Sequence, residues 1–378
     1  MLSTEIIDSA QAFFELEGEW RGLLSRSPQN HLYLSHEYLS TWWKHLSDGA
    51  SLYVVLVREA GELLAIAPLM VRRGTLLKCP VRRIEFVGSG WGYGGFILTK
   101  KKRECLRSVF AVVKEMNTWD VIYLGNTVGD PEIDPKELAG LLPETHSVHE
   151  SVRVSIPYIP LGMTWEGYLA ERSSSFRRNL KNRGRRLAEL GSVRFSRITK
   201  LEESGIPLPK IAEWLHTVAE RSWKAKAGTA ISSDSRVFSF YSDLAVRLNT
   251  MGNLDLSFLF LDERPVAYIF GAVYRNDYFE IDIAFDMELS KVSPGILVRN
   301  YLLKELLQKQ LRKYDFVAYF DYKKELTSYG QEFSVHVFYR KKPYPLVLRW
   351  LRDKVRMRMG HLLADYSGSP SSAGNYTD

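Results

Sequence analysis

The sequence predicts a mixed α/β protein made of two tandem halves, each a mostly antiparallel sheet flanked by helices. Three observations carry this. The first is a repeated hairpin: residues 52–57 turn through Glu59-Ala60-Gly61-Glu62 into 63–70, and residues 256–261 turn through Asp262-Glu263-Arg264 into 266–273. Each is an apolar strand, a short charged turn and a second apolar strand. The second is a shared order of elements after each hairpin: more strand, a helix (103–116 and 294–311), then a short strand (121–124 and 316–319). One supersecondary plan is therefore used twice. The third is size. A chain of 378 residues, 45% hydrophobic and 12% aromatic, exceeds one ordinary packed domain and fits two. Pro157, Pro160 and Gly162 interrupt the pattern and place a seam near 155–165. The expected division is 1–158, 159–345, and a 346–378 tail of basic amphipathic helix that runs into a Ser/Gly/Pro-rich, disordered end from Ser367.

Along the chain, helices are expected at 8–25 and 36–46 ahead of the first hairpin. After the seam, residues 173–191 read as a helix with Phe176, Leu180, Leu187 and Leu190 on its apolar side. Further helices are expected at 209–224 and 235–250. The strand after the second hairpin alternates: Phe279, Ile281, Ile283 and Phe285 on one side, Tyr278, Glu280, Asp282 and Asp286 on the other. The next helix opens with Ser293 as N-cap and Pro294 at its first position, where a missing N–H costs nothing. Gly295 and Ile296 then present backbone N–H groups at an end whose dipole attracts phosphate. On local signals alone this is equally a well-capped helix start, and the acidic strand face equally a solvated one.

The net charge of +7 is concentrated. Arg172, Arg177, Arg178, Lys181, Arg183, Arg185 and Arg186 face a single nearby acid, Glu171, and residues 340–358 are as basic. The rest of the chain is mildly acidic, so the total says little about partners. The run at 172–186 suits a phosphorylated carrier, RNA or an anionic glycan, or is a solvated helix face. The basic segment 346–358 either lies on an anionic membrane or docks within the protein. Cys79 and Cys105 stand far apart, which points to a reducing compartment. No metal spacing, HExxH or GxSxG occurs, and His36 and His336 read as structural or cleft-lining. Gly90, Gly92 and Gly95 match GxGxxG, but strand-like Phe96-Ile97-Leu98 comes next, where a dinucleotide fold opens a helix. Residues 1–20 lack the form of a signal peptide, and no apolar run nears the roughly 20 residues that span a bilayer. A cytoplasmic protein is expected, with peripheral contact to an anionic membrane through 346–358 as the alternative to docking of that segment within the protein.

Several blocks carry a family resemblance over roughly residues 30–340. They are Ser35-His36-Glu37-Tyr38 with Trp42-Trp43; Ala67-Pro68-Leu69; Ser174 through Leu187; Trp223-Lys224 with Gly228-Thr229; Lys291-Val292-Ser293-Pro294-Gly295-Ile296-Leu297; Asp315-Phe316; and Tyr322-Lys323. With these the chain resembles the CelD-type branch of the GNAT acyltransferase superfamily, which is related to FemAB-type transferases and includes proteins named for cellulose or exopolysaccharide biosynthesis.

The resemblance implies two GNAT-like halves, the second catalytic and the first shaping the acceptor cleft. It places the coenzyme A pyrophosphate on Lys291, Val292, Ser293, Pro294, Gly295, Ile296 and Leu297. Acetyl-CoA or another acyl-CoA is the implied co-substrate, with no metal. Acyl transfer needs a base and a proton donor; Glu280, Asp282 and Asp286 are candidates for the first, Tyr278 and Tyr322 for the second. Arg177, Arg178, Lys181, Trp223 and Lys323 are candidates for substrate binding. The implied acceptor is an amine or hydroxyl of a sugar or cell-envelope precursor. An aminoacyl-tRNA-dependent peptidyltransferase and a non-catalytic partner in polysaccharide assembly are the alternatives. One departure from the resemblance stands out: members of that branch usually carry Gly between the Asp-Phe and Tyr-Lys pairs, where this chain has Val317-Ala318-Tyr319-Phe320-Asp321.

Overall fold

The structure is a computed structural model that describes residues 1–116, 118–129, 135–142, 147–318 and 321–358. The chain forms two compact units, Met1–Ser155 with Glu332–Asp378, and Ile156–Gln331. The seam lies at the start of the expected interval. The stretch 332–345 groups with the first unit and not, as expected, with the second half, because its strand hydrogen-bonds to a first-unit strand.

The chain opens with β1 (Leu2–Ile7), α1 (Ala10–Glu15), α2 (Glu17–Arg26) and α3 (His36–Leu46). Then come β2 (Ser51–Glu59), β3 (Glu62–Leu76), β4 (Cys79–Phe86), β5 (Ile97–Leu98), α4 (Lys102–Glu115), β6 (Val121–Thr127) and β7 (Ser147–Pro160). The expected helix 8–25 is two helices that meet at Leu16. The hairpin β2–β3 closes through Ala60 and Gly61, both at positive φ (48° and 86°), the backbone twist that tight hairpins require. The core of this unit joins Val55, Ala67, Ile84 and Phe86 of the strands to Cys105, Val109 and Phe110 of α4. Loop 88–95 leads into β5, the strand expected near 96–98. His36 is buried with Nε2 against the Phe13 carbonyl oxygen at 2.8 Å.

The second unit holds α5 (Trp165–Ala170), α6 (Ser174–Ala188), β8 (Val193–Ile198), α7 (Leu208–Glu220), α8 (Trp223–Lys226) and α9 (Ser235–Thr250). It continues with β9 (Leu254–Leu261), β10 (Arg264–Tyr274), β11 (Asp277–Phe285), α10 (Pro294–Leu306) and β12 (Lys313–Asp315). Its sheet runs β12-β11-β10-β9-β8, with the end of β7 beside β12. All pairs are antiparallel except β11–β12. The last strand is found at 313–315, a few residues before the expected 316–319, of which Tyr319 lies outside the described residues. The chain closes in the first unit with β13 (Gly330–Arg340), antiparallel to β6, and α11 (Pro343–Arg358). The first-unit sheet reads β1-β2-β3-β4-β6-β13 and also has one parallel pair, β4–β6. The expected disordered end from Ser367 lies outside the described residues. Among the described residues no helix is long and apolar enough to cross a membrane.

Candidate active site

The second unit positions its chemistry where two parallel strands part. β11 pairs with β12 only at Asp277–Lys313, Tyr278–Tyr314 and Phe279–Asp315, yet β11 continues to Phe285. From Glu280 onward its β12-side edge has no paired strand among the described residues, so a wedge opens in the sheet.

A bulge decides what lines that wedge. Phe270 faces Asp282 and Gly271 faces Glu280, so Ile281 is an extra residue in β11. One extra residue reverses the alternation of everything after it. Tyr278 shares a core with Ile283, Phe285 and the α10 residues Leu297, Val298 and Leu302. Asp282 turns to the opposite side, where its carboxylate accepts from the buried Lys224 ammonium on α8 and from the Tyr268 hydroxyl at 2.5 Å. The expected shared face of Tyr278, Glu280, Asp282 and Asp286 is thereby corrected.

Glu280 is the centre of a buried network. Arg299 of α10 donates to both of its oxygens at 2.8 and 3.0 Å, the Tyr314 hydroxyl donates at 2.6 Å, and Lys323 Nζ lies 3.8 Å away. Burial works to raise the Glu280 pKa, but Arg299 and Lys323 overcome it and hold the carboxyl below its usual range. A carboxylate so satisfied is a poor proton acceptor and serves to orient its partners.

Lys323 stands on a 3-10 turn at Asp321–Glu325 and is 2% exposed. Its ammonium donates to the Phe316 and Ala318 carbonyl oxygens at 3.2 and 2.9 Å. Burial pulls its pKa down to about 7; Glu280 opposes this, and Arg299 and Lys224 reinforce it. The strand end it grips is strained. Val317 has φ of 61°, and the Ala318 N–H reaches back to the Phe316 carbonyl at 2.6 Å, a three-residue turn of the rare left-handed kind. The Asp315 carboxylate accepts from the Val317 N–H at 2.8 Å and helps hold it.

The other expected acid–base residues fall elsewhere. Asp286 is fully buried: it accepts from the Glu288 N–H at 3.0 Å and pairs with Arg264 and Arg221 at 3.4 and 3.5 Å, which makes it a cap for the turn Met287–Val292. Tyr278 is also closed in, stacked on Tyr314 at 4.7 Å, and its hydroxyl finds no hydrogen-bond partner among the described residues. It points at Gly271, where a Cβ would sit 2.0 Å from the hydroxyl oxygen. Burial pushes its pKa well above 10, so it is no ready donor. The Tyr322 side chain lies outside the described residues.

The loop from Lys291 to Leu297 divides between core and surface. Val292, Pro294, Gly295 and Leu297 are buried, and Lys291 is exposed. Contrary to expectation, Ser293 does not cap with its side chain; it sits at φ 50° and its hydroxyl donates to the Ser290 carbonyl at 3.3 Å. Its own carbonyl accepts from Ile296 N–H at 3.0 Å, which leaves the Gly295 N–H without a partner among the described residues. No acid occupies the first turn of α10. The Gly295 N–H, the helix dipole and the exposed Lys291 are the groups of this loop that favour an anion. Gly295 also packs tightly, since a Cβ there would lie 2.9 Å from the Phe285 ring.

Of the expected substrate-binding residues, Trp223 is 39% exposed, Arg178 and Lys181 are exposed on α6, and Arg177 is tied back to the Leu169 and Arg172 carbonyls at 3.0 and 2.6 Å. Sequence reasoning missed Arg299, Tyr314, Lys224 and Tyr268 as site members. One signal was present: Arg299 comes directly after Ile296-Leu297-Val298 in an apolar helix, and a buried arginine demands a carboxylate. Among the described residues no cluster of His, Cys, Asp or Glu could hold a metal ion.

Comparison with known proteins bears on the fold that carries this site. Residues 174–324, which span α6 through the Lys323 turn, match the family of acetyltransferase (GNAT) domains. Three similar solved structures share the fold at low identity. The C-terminal domain of an Agrobacterium fabrum protein assigned as a lysylphosphatidylglycerol synthetase has 9% identity and a TM-score of 0.55, over 92% of this chain and 97% of that one. FemX has 12% identity and a TM-score of 0.53, over 91% and 98%. A Bacteroides thetaiotaomicron protein of unknown function has 11% identity and a TM-score of 0.53, over 90% and 100%. No curated protein sequence matches this chain. Residues 174–324 are thus similar to a GNAT acetyltransferase domain, and the solved structures share the fold of the whole chain.

Proposed function

We propose that this protein transfers an acyl group, acetyl in the simplest case, from acyl-CoA to an amine or hydroxyl of a sugar or cell-envelope precursor, with the thioester in the wedge between β11 and β12. The observation that carries this reading is Lys323, a buried lysine held near neutral pKa at the mouth of a parting strand pair. The chemistry comes from its position. The acceptor nitrogen or oxygen attacks the thioester carbonyl carbon, and the new bond forms as the carbonyl oxygen becomes an oxyanion. Neutral Lys323 takes the acceptor's proton. The C–S bond then breaks, and the lysine returns that proton to the departing thiolate. A group that titrates near 7 works in both directions at neutral pH. Glu280, Arg299 and Tyr314 hold the lysine's surroundings fixed, and the Gly295 N–H and Lys291 would hold the carrier's phosphates.

Calorimetry with acetyl-CoA is the test. Binding should be present and should weaken several-fold in Lys291→Glu, which alters an exposed side chain only. No heat with any acyl-CoA would sink the reading. A second reading has its own support. Arg178, Lys181, Arg185 and Arg186 are exposed on α6, which packs on α10 and on the turn Met287–Val292. That basic face beside the phosphate end suits an aminoacyl-tRNA donor. Steeply salt-dependent tRNA binding, lost in Arg178→Glu with Lys181→Glu, would select it.

A further inference from the structure

The helix α11 has its polarity turned inside out. A helix on a protein surface ordinarily buries apolar side chains and exposes charged ones. Here charge faces the first unit. Arg349 and Arg352 both donate to the Glu150 carboxylate on β7, Arg352 at 2.6 Å, and Arg352 also donates to the Tyr339 hydroxyl on β13. Leu348, just before Arg349, is buried beside them.

The outer side is apolar. Tyr344, Val347, Trp350 and Leu351 are 44, 53, 57 and 39% exposed among the described residues. Their spacing of three, six and seven residues sets them on one face. Tyr344 is fixed there by its hydroxyl, which donates to the Pro80 carbonyl at 2.8 Å. The rim is cationic. Lys341 and Lys342 are exposed just before the helix, and Lys354 lies 5.7 Å above the Trp350 ring. Arg356 and Arg358 come later in the sequence, and Asp353, the acid within α11, is engaged by Arg352.

We infer that α11 seats this protein on an anionic lipid bilayer, its outer face shallow in the headgroup region. Single exposed apolar residues need no explanation, but four large ones on one face do. Tryptophan and tyrosine favour the membrane–water boundary, where one end of the ring is apolar and the other wet. A rim of one sign complements an anionic leaflet. A second copy of the chain is a poor occupant, because it would set the same lysines against each other.

Co-sedimentation of the full-length protein with vesicles tests this. It should pellet with vesicles of phosphatidylcholine and phosphatidylglycerol in equal parts, stay in solution with pure phosphatidylcholine, and be released by salt. Val347→Ser with Trp350→Ser should weaken partition by about tenfold or more, since two exposed apolar groups are lost without a buried contact. Lys341→Glu with Lys342→Glu should weaken it also and flatten the salt dependence. Leu190→Ser, an equally exposed site on the second unit, should leave it unchanged. The inference is overturned if the protein ignores anionic vesicles, or if the serine pair pellets as well as the parent. It is overturned too if sedimentation equilibrium shows that the serine pair abolishes a dimer while lipid binding is absent.

Discussion

In the first unit the parallel pair β4–β6 is joined through α4, and in the second the pair β11–β12 is joined through α10; both pair over three residues. The residue after the paired strand segment is Phe86 in one and Glu280 in the other. Phe86 meets Phe96 edge-on at 5.1 Å, Phe96 packs tilted against Phe110 at 6.1 Å, and Phe110 against Phe338 at 5.7 Å, so aromatic rings fill the equivalent place. Glu280 instead collects Arg299, Tyr314 and Lys323. The middle strand pair is Ile84–Ile122 in the first and Tyr278–Tyr314 in the second. The sixth residue of α4 is an exposed Arg107, that of α10 a buried Arg299. One topology therefore yields a plugged wedge or a charged one, and a handful of side chains decide which.

Removal of Arg299 should break this contrast most severely. In Arg299→Leu the Glu280 carboxylate stays buried without its bidentate partner, which should cost about 3–5 kcal/mol in denaturant unfolding. Arg107→Leu, at the matching place in the first unit, should stay within about 0.5 kcal/mol. Equal effects would mean that the buried ion pair does not organise the second wedge. Next in size is Lys323. Lys323→Met should reduce thiol release from acetyl-CoA by at least about 100-fold, the scale of a lost proton relay. Lys323→Arg keeps a donor but cannot titrate, so any residual rate should lose its pH dependence near 7. A rate profile that still breaks near 7 in Lys323→Arg would assign that break to another group. The stability of the parent carries the same signature. The lysine's folded pKa lies below its unfolded value near 10.4, so stability is full above that value and is lost as pH falls towards 7. Lys323→Met should abolish this slope.

The hairpins, the repeated plan and the helix at Pro294 were legible because alternation and turn residues are local. The bulge was not. It depends on how β11 registers against β10, and nothing within residues 277–286 marks Ile281 as the extra residue. That single residue separated Asp282 from Glu280 and dissolved the expected acidic face. The β3–β4 turn was equally silent, since Leu77 and Lys78 adopt φ of 54° and 61° without a glycine or asparagine. The return of β13 to the first unit is a long-range pairing that no local pattern states. Tyr322-Lys323, by contrast, was singled out from sequence, and the structure puts the lysine at the heart of the network.

The first unit has its own buried titrating pair, which sharpens the contrast from the other side. His336 and His149 lie face to face at 5.3 Å, with His149 Nε2 3.1 Å from His336 Nδ1. Burial, with His149 adding to it, pulls the His336 pKa down to about 4. The folded pKa is below the unfolded 6.5, so stability is full above about 6.5 and is lost as pH falls towards 4. Unfolding of the first unit should show that acid slope, and His336→Phe should flatten it. In the second unit the lysine-driven slope lies on the alkaline side, so the two regions separate by pH in one titration.

The smallest effect concerns the strained turn. A β-branched residue at positive φ costs on the order of 1–2 kcal/mol, and glycine carries no such penalty there. Val317 is 1% exposed, so its side chain is held in the interior despite that strain. Val317→Gly should therefore destabilise the protein by about 1 kcal/mol, because the lost burial of a valine side chain and the greater freedom of glycine in the unfolded chain outweigh the strain relieved. Thermal denaturation reads the change in stability. The pH profile of thiol release reads the change at the site, because Lys323 grips the carbonyls on either side of Val317. If the strain serves only to compress the turn, the profile keeps its midpoint near 7. If relaxation of the turn loosens the grip on the ammonium, the lysine becomes better hydrated and the midpoint moves up, towards the ordinary value for lysine. A stabilised Val317→Gly with an unmoved midpoint would show instead that backbone strain outweighs valine packing, and that glycine improves on the residue this chain carries.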